Sequence, residues 1–386
     1  MKYLTKEQLS GFEHYKYSSI DTSPLSIYVM HPFWNTVVKL CPRWVAPNLL
    51  TFVGFLFTVL NFFLFSYLDY NFYASSADHP EVPPLPRWLW AVAALNLFLA
   101  YTLDGIDGKQ ARRTQTSGPL GELFDHGLDS YTTVFIVTCM YSAFGRTDHS
   151  VSPIRMYFCF WNIFLNFFIS HWEKYNTGVL FLPWGYDASM LATMATFTVT
   201  AFYSHTIWNF DVFGSVTCGQ LFELVFYVSA ILFNVPVSVY NVYLSYRDKT
   251  GKMRTPLEAF RPCFSVVGFL GLCSFWVVYS PNNVIEIDPR AIYFMTGTIF
   301  SNICCRLIVS QMSNTRCEAL HWIIPPLSIM VLVLVYVPAA AAFELPLLYA
   351  VTFLATITQI HYGTCVVQEM CHHFKIECFR IKDKSA

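Results

Sequence analysis

Asp104-Gly-Ile-Asp-Gly-Lys-Gln-Ala-Arg-Arg-Thr-Gln-Thr-Ser-Gly-Pro-Leu-Gly-Glu-Leu-Phe-Asp-His-Gly-Leu-Asp129 sets five acidic residues between strongly apolar flanks. Asp104 and Asp107 are three residues apart and Asp125 and Asp129 four apart. On two helices each pair projects from one face, so four carboxylates can converge. At the centre of a membrane helix each Asp costs roughly 2.5–3.5 kcal/mol, and four would cost on the order of 10 kcal/mol. A divalent cation offsets that cost: its charge cancels the repulsion, and Mg²⁺ accepts carboxylate, water and substrate phosphate oxygens together. The intervening residues suit a phosphate-bearing ligand. Gly105, Gly108 and Gly121 remove side chains where backbone or substrate comes close, Ala111 keeps the same face low, and Lys109, Arg112 and Arg113 are cationic donors.

The rest of the chain is greasy. Of 386 residues 55% are hydrophobic and only 13% charged, about half the charged share of an ordinary soluble domain. A net charge of −1 argues against nucleic acid as a partner, which would need a concentrated basic face. Before residue 47 the charges Lys2, Lys6, Glu7, Glu13, Lys16 and Asp21 interrupt any long apolar run. No cleavable signal peptide is expected, and the first span must direct insertion. The twelve cysteines are scattered, with no Cys-x-x-Cys pair, and read as buried thiols. Cys371, His372, His373 and Cys378 form the one Cys/His cluster, at no zinc spacing.

Apolar runs near the length needed to cross a bilayer fall at 47–68, 88–110, 119–144, 154–172, 187–207, 218–244, 262–280, 291–311, 321–341 and 344–367. The expected fold is an all-α polytopic membrane protein of about ten transmembrane helices. Residues 1–46 form a cytosolic interfacial segment, with amphipathic helices at 4–17 and 24–40. Residues 47–245 form a six-helix catalytic core, and 246–386 add four membrane helices and a cytosolic tail. With both termini cytosolic, nineteen Lys and Arg lie on that side against Arg87, Arg146, Arg155 and Arg290 opposite, which sets the orientation. The 104–129 loop then faces the cytosol. Residues 170–187 read as a polar, aromatic cytosolic connection beside it, and the basic loop 245–261 as a face toward anionic headgroups. The last four spans scaffold the core, form a homodimer or shape a lipid entrance, and Ala339–Ala342 points to close helix packing.

At about 1.5 Å per residue, Asp104 lies some 24 Å along a helix entered near Trp88, and Asp125 and Asp129 lie about 9–15 Å below Pro119. Both pairs reach one depth, where a water-soluble nucleotide enters from the cytosol and a lipid hydroxyl from the bilayer. Two divalent ions there would hold a diphosphate and align an attacking oxygen in line. His126 is placed to accept that oxygen's proton, and Glu122, one turn earlier, to orient His126 or hold a water.

The spacing D-x2-D-G-x2-A-R-x8-G-x3-D-x3-D, met by Asp104, Asp107, Gly108, Ala111, Arg112, Gly121, Asp125 and Asp129, resembles the signature of the CDP-alcohol phosphotransferase family. Around it the sequence looks like the eukaryotic choline/ethanolamine branch. Met30-His-Pro-Phe-Trp-Asn35 and the stretch Ser170 to Asp187 are similar to its ethanolamine members. That resemblance implies Asp104, Asp107, Asp125 and Asp129 as ligands for Mg²⁺ or Mn²⁺, His126 as proton acceptor, and Asn48 of Ala-Pro-Asn as a contact to the CDP moiety. It implies transfer of phosphoethanolamine from CDP-ethanolamine to diacylglycerol or alkyl-acyl-glycerol, in endoplasmic reticulum or Golgi membranes. Ethanolamine members are selenoproteins with a selenocysteine in a C-terminal extension; the sequence through Ala386 holds none. The competing expectations are a choline or dual-headgroup enzyme and, in another class, an intramembrane cation or proton transporter.

Overall fold

The computed structural model describes residues 2–381 except 77, 183 and 213. Pro183 of the 170–187 stretch, and Lys382 and Lys384 of the basic tally, lie outside the described residues. Helix α1 is Lys6–Glu13, strand β1 Ser19–Asp21, and helix α2 His31–Val37, entered through a π-helical turn at Ser26–Met30. Then follow α3 (Pro47–Leu68), α4 (Arg87–Thr114), α5 (Pro119–Phe144), α6 (Pro153–Thr177), β2 (Leu180–Leu182) and α7 (Gly185–Tyr203). A small ribbon, β3 (Asp211–Val212) and β4 (Val216–Thr217), leads into α8 (Cys218–Val228) and α9 (Val235–Arg247). The chain closes with α10 (Pro256–Tyr279), α11 (Val284–Ile287), α12 (Pro289–Met312), α13 (Ile324–Tyr336) and α14 (Glu344–Phe374).

Proline opens α3, α5, α6, α10 and α12, where its missing N–H would have no intrahelical partner. Those starts fall within two residues of the sequence expectation except that of α10, which begins at Pro256, six residues before the expected 262. Among the described residues six helical stretches are long and apolar enough to cross a bilayer: Pro47–Leu68, Arg87–Thr114, Cys218–Arg247, Pro256–Tyr279, Pro289–Met312 and Pro338–Phe374. The protein is an integral membrane protein. Helix α5 fits the length, but Glu122, Asp125 and Asp129 lower its hydropathy. Helix α13 has 13 residues, about 20 Å of rise.

Helices α3 and α4 pack side by side, α3 also lies along α5, and α12 sits between α5, α6 and α14. Close approach is bought with glycine. A Cβ on Gly54 would stand 3.1 Å from the Ala100 carbonyl, and one on Gly297 would stand 2.1 Å from Val134 Cγ2. A single buried apolar cluster runs from Met30 to Ala355 and includes helices on both sides of residue 245. Polar side chains tie α12 to its neighbours inside it. Asn302 donates to Gln359 at 2.7 Å, Gln359 donates to Ser301 at 3.0 Å, and the Ser301 and Ser130 hydroxyls lie 2.7 Å apart.

Both ends of the chain meet at the end of the bundle that carries the acids. The Tyr3 and Leu4 N–H groups donate to the Glu369 carboxylate at 2.7 and 3.1 Å, and His373 lies 2.8 Å from Glu13. Strand β1 pairs in parallel with β2, Ser19 opposite Leu180, and Trp184 donates to the Thr22 hydroxyl at 2.7 Å.

Three local expectations change. The stretch from Ser170 to Thr177 continues α6 as two buried turns, because its polar groups face partners inside the protein instead of water. Ala339–Ala342 lies in a 3₁₀ turn with Ala339 and Ala342 exposed, so it is a connector and not a packing seam. In the 24–40 segment Trp34 is buried: its indole covers Gly105, where a Cβ would meet the ring at 2.1 Å, and its edge meets Tyr101 at 5.4 Å. Gly105 therefore makes room for a side chain of the protein, and Ile27, Tyr28, Val29 and Leu40 are exposed apolar groups of that segment.

Gly105→Ala is expected to lower the unfolding temperature in detergent, at a cost of about 1–3 kcal/mol from overpacking. Adding Trp34→Phe should return part of that loss; full stability of Gly105→Ala alone would show that the indole yields freely.

Candidate active site

The turn between α4 and α5 brings the two acidic pairs face to face. Helix α4 stops where Gln115 takes a left-handed φ of 56°, and Gly118-Pro119 restarts the chain as α5. Asp104, Asp107 and Asp125 each offer an oxygen within 4.8 Å of the others, and two oxygens of Asp125 and Asp129 with a ring nitrogen of His126 form a second such group. All four sequence-predicted carboxylates therefore converge, with Asp125 common to both groups. Two unit charges at such a separation repel by roughly 3–4 kcal/mol at an effective dielectric of about 20.

Few donors offset this. The Thr51 hydroxyl on α3 donates to Asp107 at 2.5 Å, joined by the Gly108 N–H, and the Tyr186 hydroxyl on α7 donates to Asp104 at 3.1 Å. Asp125 Oδ1 is buried with no hydrogen-bond partner among the described residues. An all-oxygen set of clustered carboxylates, with a buried acceptor lacking any donor, is what a hard divalent cation fits. A crevice lined by Thr51, Phe55, Tyr101, Leu128, Tyr186 and Met190 opens onto Asp104 and Asp129.

Above the acids the surface is kept low. At Gly108 the nearest atom to an added Cβ is Arg112 Nη1 at 3.7 Å, and at Gly121 it is Asn48 Oδ1 at 3.5 Å. Ala111 follows Gly108 by three residues on α4, and Arg112 is exposed. Lys109 donates to Asn35 at 2.8 Å. Arg113 spends its guanidinium on the Val38 and Cys41 carbonyls at 2.7 and 2.5 Å. It therefore docks α2 and is withdrawn from any phosphate, unlike the expectation. Asn48 lies in the first turn of α3, three residues before Thr51, and its amide donates to Cys378 Sγ at 3.7 Å.

His126 presents Nδ1 at 3.9 Å from Asp125 and 3.8 Å from Asp129, while its Nε2 is buried without a partner among the described residues. The ring meets His171 of α6 edge-on at 5.2 Å, and His171 Nδ1 lies 3.2 Å from the Gln311 Oε1 of α12. Glu122 does not bond His126 among the described residues. Its two oxygens accept from the Tyr15 hydroxyl at 2.7 and 2.6 Å, and it pairs with the Lys174 ammonium. Both partners are enclosed, with side-chain exposures of 1% for Lys174 and 7% for Glu122. Lys174 also stands 4.9 Å over the Tyr17 ring. Burial, aided by the Glu122 and Asp125 carboxylates, pushes the Tyr17 hydroxyl up to about 12, so it stays protonated.

Sequence reasoning set His171, Lys174 and Tyr186 in a stretch beside the site without giving them a role, and missed Thr51 and Tyr15. Only Thr51 had a usable signal, standing one turn from Asn48 on the same helix. The others arrive from distant segments, and the charged run around Lys174 resembles a solvated surface.

Residues 44–235 match the profile of the CDP-alcohol phosphatidyltransferase family. The chain belongs to that family and is an enzyme of the transferase class. Such enzymes generally depend on divalent metal, for which the acidic cluster offers ligands. Along nearly its whole length the chain is similar to ethanolaminephosphotransferase 1 of Mus musculus, with 47% identity over 381 residues covering 99% of this chain and 95% of the relative. The Homo sapiens ethanolaminephosphotransferase 1 gives the same identity and coverage, 47%, 99% and 95%. Choline/ethanolaminephosphotransferase 1 of Arabidopsis thaliana is 31% identical over 411 residues, covering 100% of both chains. These similarities set aside the transporter reading.

Lys174→Met leaves Glu122 buried without its cation and is expected to destabilise the protein by about 3–5 kcal/mol. Combining it with Glu122→Gln should recover most of that loss in thermal unfolding; no recovery would show that Lys174 acts through other contacts.

Proposed function

We propose that the protein transfers phosphoethanolamine from CDP-ethanolamine to the free hydroxyl of diacylglycerol or alkyl-acyl-glycerol, making phosphatidylethanolamine or its ether analogue and CMP. The observation that carries this reading is the convergence of Asp104, Asp107, Asp125 and Asp129 around a buried oxygen with no donor. Asp104, Asp107, Asp125 and Asp129 would hold Mg²⁺ or Mn²⁺, two ions in this reading, which when bound neutralise the diphosphate and polarise its phosphorus. The names of the mammalian relatives support ethanolamine as headgroup.

The residues divide the remaining work. Asn48, Gly108, Lys109, Ala111, Arg112 and Gly121 form the surface for the CDP moiety, with the glycines letting it approach the backbone. The crevice beside Tyr186 and Met190 brings the lipid hydroxyl to Asp104 and Asp129 from the apolar side, with the His126 ring 3.8 Å behind Asp129. The glycerol oxygen bonds to the phosphorus carrying ethanolamine, the bond from that phosphorus to the bridging oxygen breaks, and its electron pair leaves with CMP. The hydroxyl proton passes to His126 Nε2, which has no other partner. Glu122 positions the site from one turn away by holding Tyr15 and Lys174. No seryl or cysteinyl nucleophile stands among these residues, and a single displacement is the proposed course.

Orientation follows charge. Both described ends of the chain lie at the acidic end of the bundle, and the excess of Lys and Arg there supports a cytosolic site and cytosolic termini in endoplasmic reticulum or Golgi membranes. The outer faces of α13 and α14 carry Leu332, Phe353 and Leu354, and suit lipid or the second copy of a homodimer. A choline or dual-headgroup activity is the second reading, favoured by the name of the Arabidopsis relative.

Purified protein given CDP-ethanolamine, diacylglycerol and Mg²⁺ or Mn²⁺ should release CMP, and an equimolar mixture with CDP-choline should be consumed mainly as the ethanolamine compound. Asp125→Asn should abolish release. His126→Ala should keep nucleotide binding and slow turnover by roughly 10²–10⁴-fold; normal turnover in that variant would remove His126 as proton acceptor.

A further inference from the structure

Beyond α14 the chain turns back over the slot between α3 and α5. The reversal is built locally: Lys375 takes a left-handed φ of 54°, and the Ile376 N–H donates to the Cys371 carbonyl at 3.0 Å, a helix-ending turn that fixes the exit direction. Two residues further on, Cys378 Sγ accepts from the Asn48 amide at 3.7 Å. The Phe379 ring then packs 5.5 Å from Phe52 and 5.7 Å from Phe124, which lie 6.3 Å from each other.

Those contacts sit on the path to the acids. Phe52 follows Asn48 by one turn of α3, Phe124 directly precedes Asp125, and Asn48 faces Gly121 across the slot. Thr51, one turn below Asn48, already touches Asp107. A ligand with its phosphates on the carboxylates must extend its nucleoside end through the place that Cys378 and Phe379 cover.

We propose that residues 376–381 form a latch over the nucleotide slot, with Cys378 and Phe379 occupying Asn48 and the Phe52–Phe124 pair until a cytidine nucleotide takes over those contacts. This rests on the reading that the CDP moiety uses Asn48. The exchange is chemically even. A thiol sulfur is a weak acceptor for an amide, and an oxygen of the base or sugar serves Asn48 better; a pyrimidine ring can replace the phenyl ring against the two aromatic faces. The latch is lightly held, since Phe379 stays 42% exposed. Burial raises the closed-state Cys378 thiol to about 11, so it reacts slowly with electrophiles near neutral pH.

The test uses the full-length protein in detergent, CMP as probe, and mass spectrometry to follow maleimide modification of Cys378. CMP should accelerate modification of Cys378 several-fold, and Phe379→Ala should bind CMP roughly three- to tenfold more tightly by removing the closed state's competition. Protection of Cys378 by CMP, or unchanged or weaker CMP binding by Phe379→Ala, would overturn the latch while leaving the transferase reading intact. Failure of the wild-type protein to bind CMP at all would remove that reading, and the latch with it. The labelling arm needs no substitution, so misfolding of a variant cannot mask the result.

Discussion

Crowding negative charge into an apolar bundle is the constraint on which the other features depend. Asp104, Asp107, Asp125 and Asp129 bring their oxygens within 4.8 Å in two overlapping groups. Each pair repels by several kcal/mol at that range, and the protein answers with few donors: Thr51, the Gly108 N–H and Tyr186. Helix propensity alone would not place Gly105, Gly108 and Gly121 on α4 and α5, because each glycine weakens a helix interior by roughly 1 kcal/mol. They are accounted for by what lies close: the Trp34 indole at Gly105, and at Gly108 and Gly121 the Arg112 and Asn48 side chains, which an added Cβ would meet only at ordinary contact distance.

A second electrostatic arrangement stands one turn away and is solved within the protein. Glu122 is matched by Lys174 and by the Tyr15 hydroxyl, with Tyr17 beneath the ammonium. The contrast is informative. Where the chain supplies its own cation and hydroxyl the carboxylate is satisfied, whereas Asp125 Oδ1 on the same helix is left without any donor. The N-terminal segment contributes Tyr15 and is held by β1–β2 pairing and by the Glu369 carboxylate, so both described ends of the chain pack at the end of the bundle that carries the acids.

Much of this was legible in the residues. Apolar runs of bilayer length, with Pro47 and Pro119 marking two starts, placed α3, α5 and α12 closely, because in these segments composition and length alone decide the structure, while α10 begins six residues earlier than its apolar run. The acidic pairs were legible because spacings of three and four on two helices leave one geometry. Burial of charge by distant partners was not. Ser170 to Thr177 reads as a loop until Glu122, Gln311 and Ala259 are seen to satisfy Lys174, His171 and Trp172. Arg113 reads as a phosphate donor until Val38 and Cys41 claim it. Nothing local in Cys378 or Phe379 announces Asn48, 330 residues earlier.

The measurement nearest to the central claim is thermal unfolding of the purified protein with its divalent ions stripped by chelator and then restored as Mn²⁺, alongside electron paramagnetic resonance of the bound ion. The account predicts saturable Mn²⁺ binding that raises the unfolding temperature, with both effects lost when Asp125 and Asp129 are replaced by Asn. An unfolding temperature indifferent to chelator and Mn²⁺, with no bound-ion signal, would contradict it.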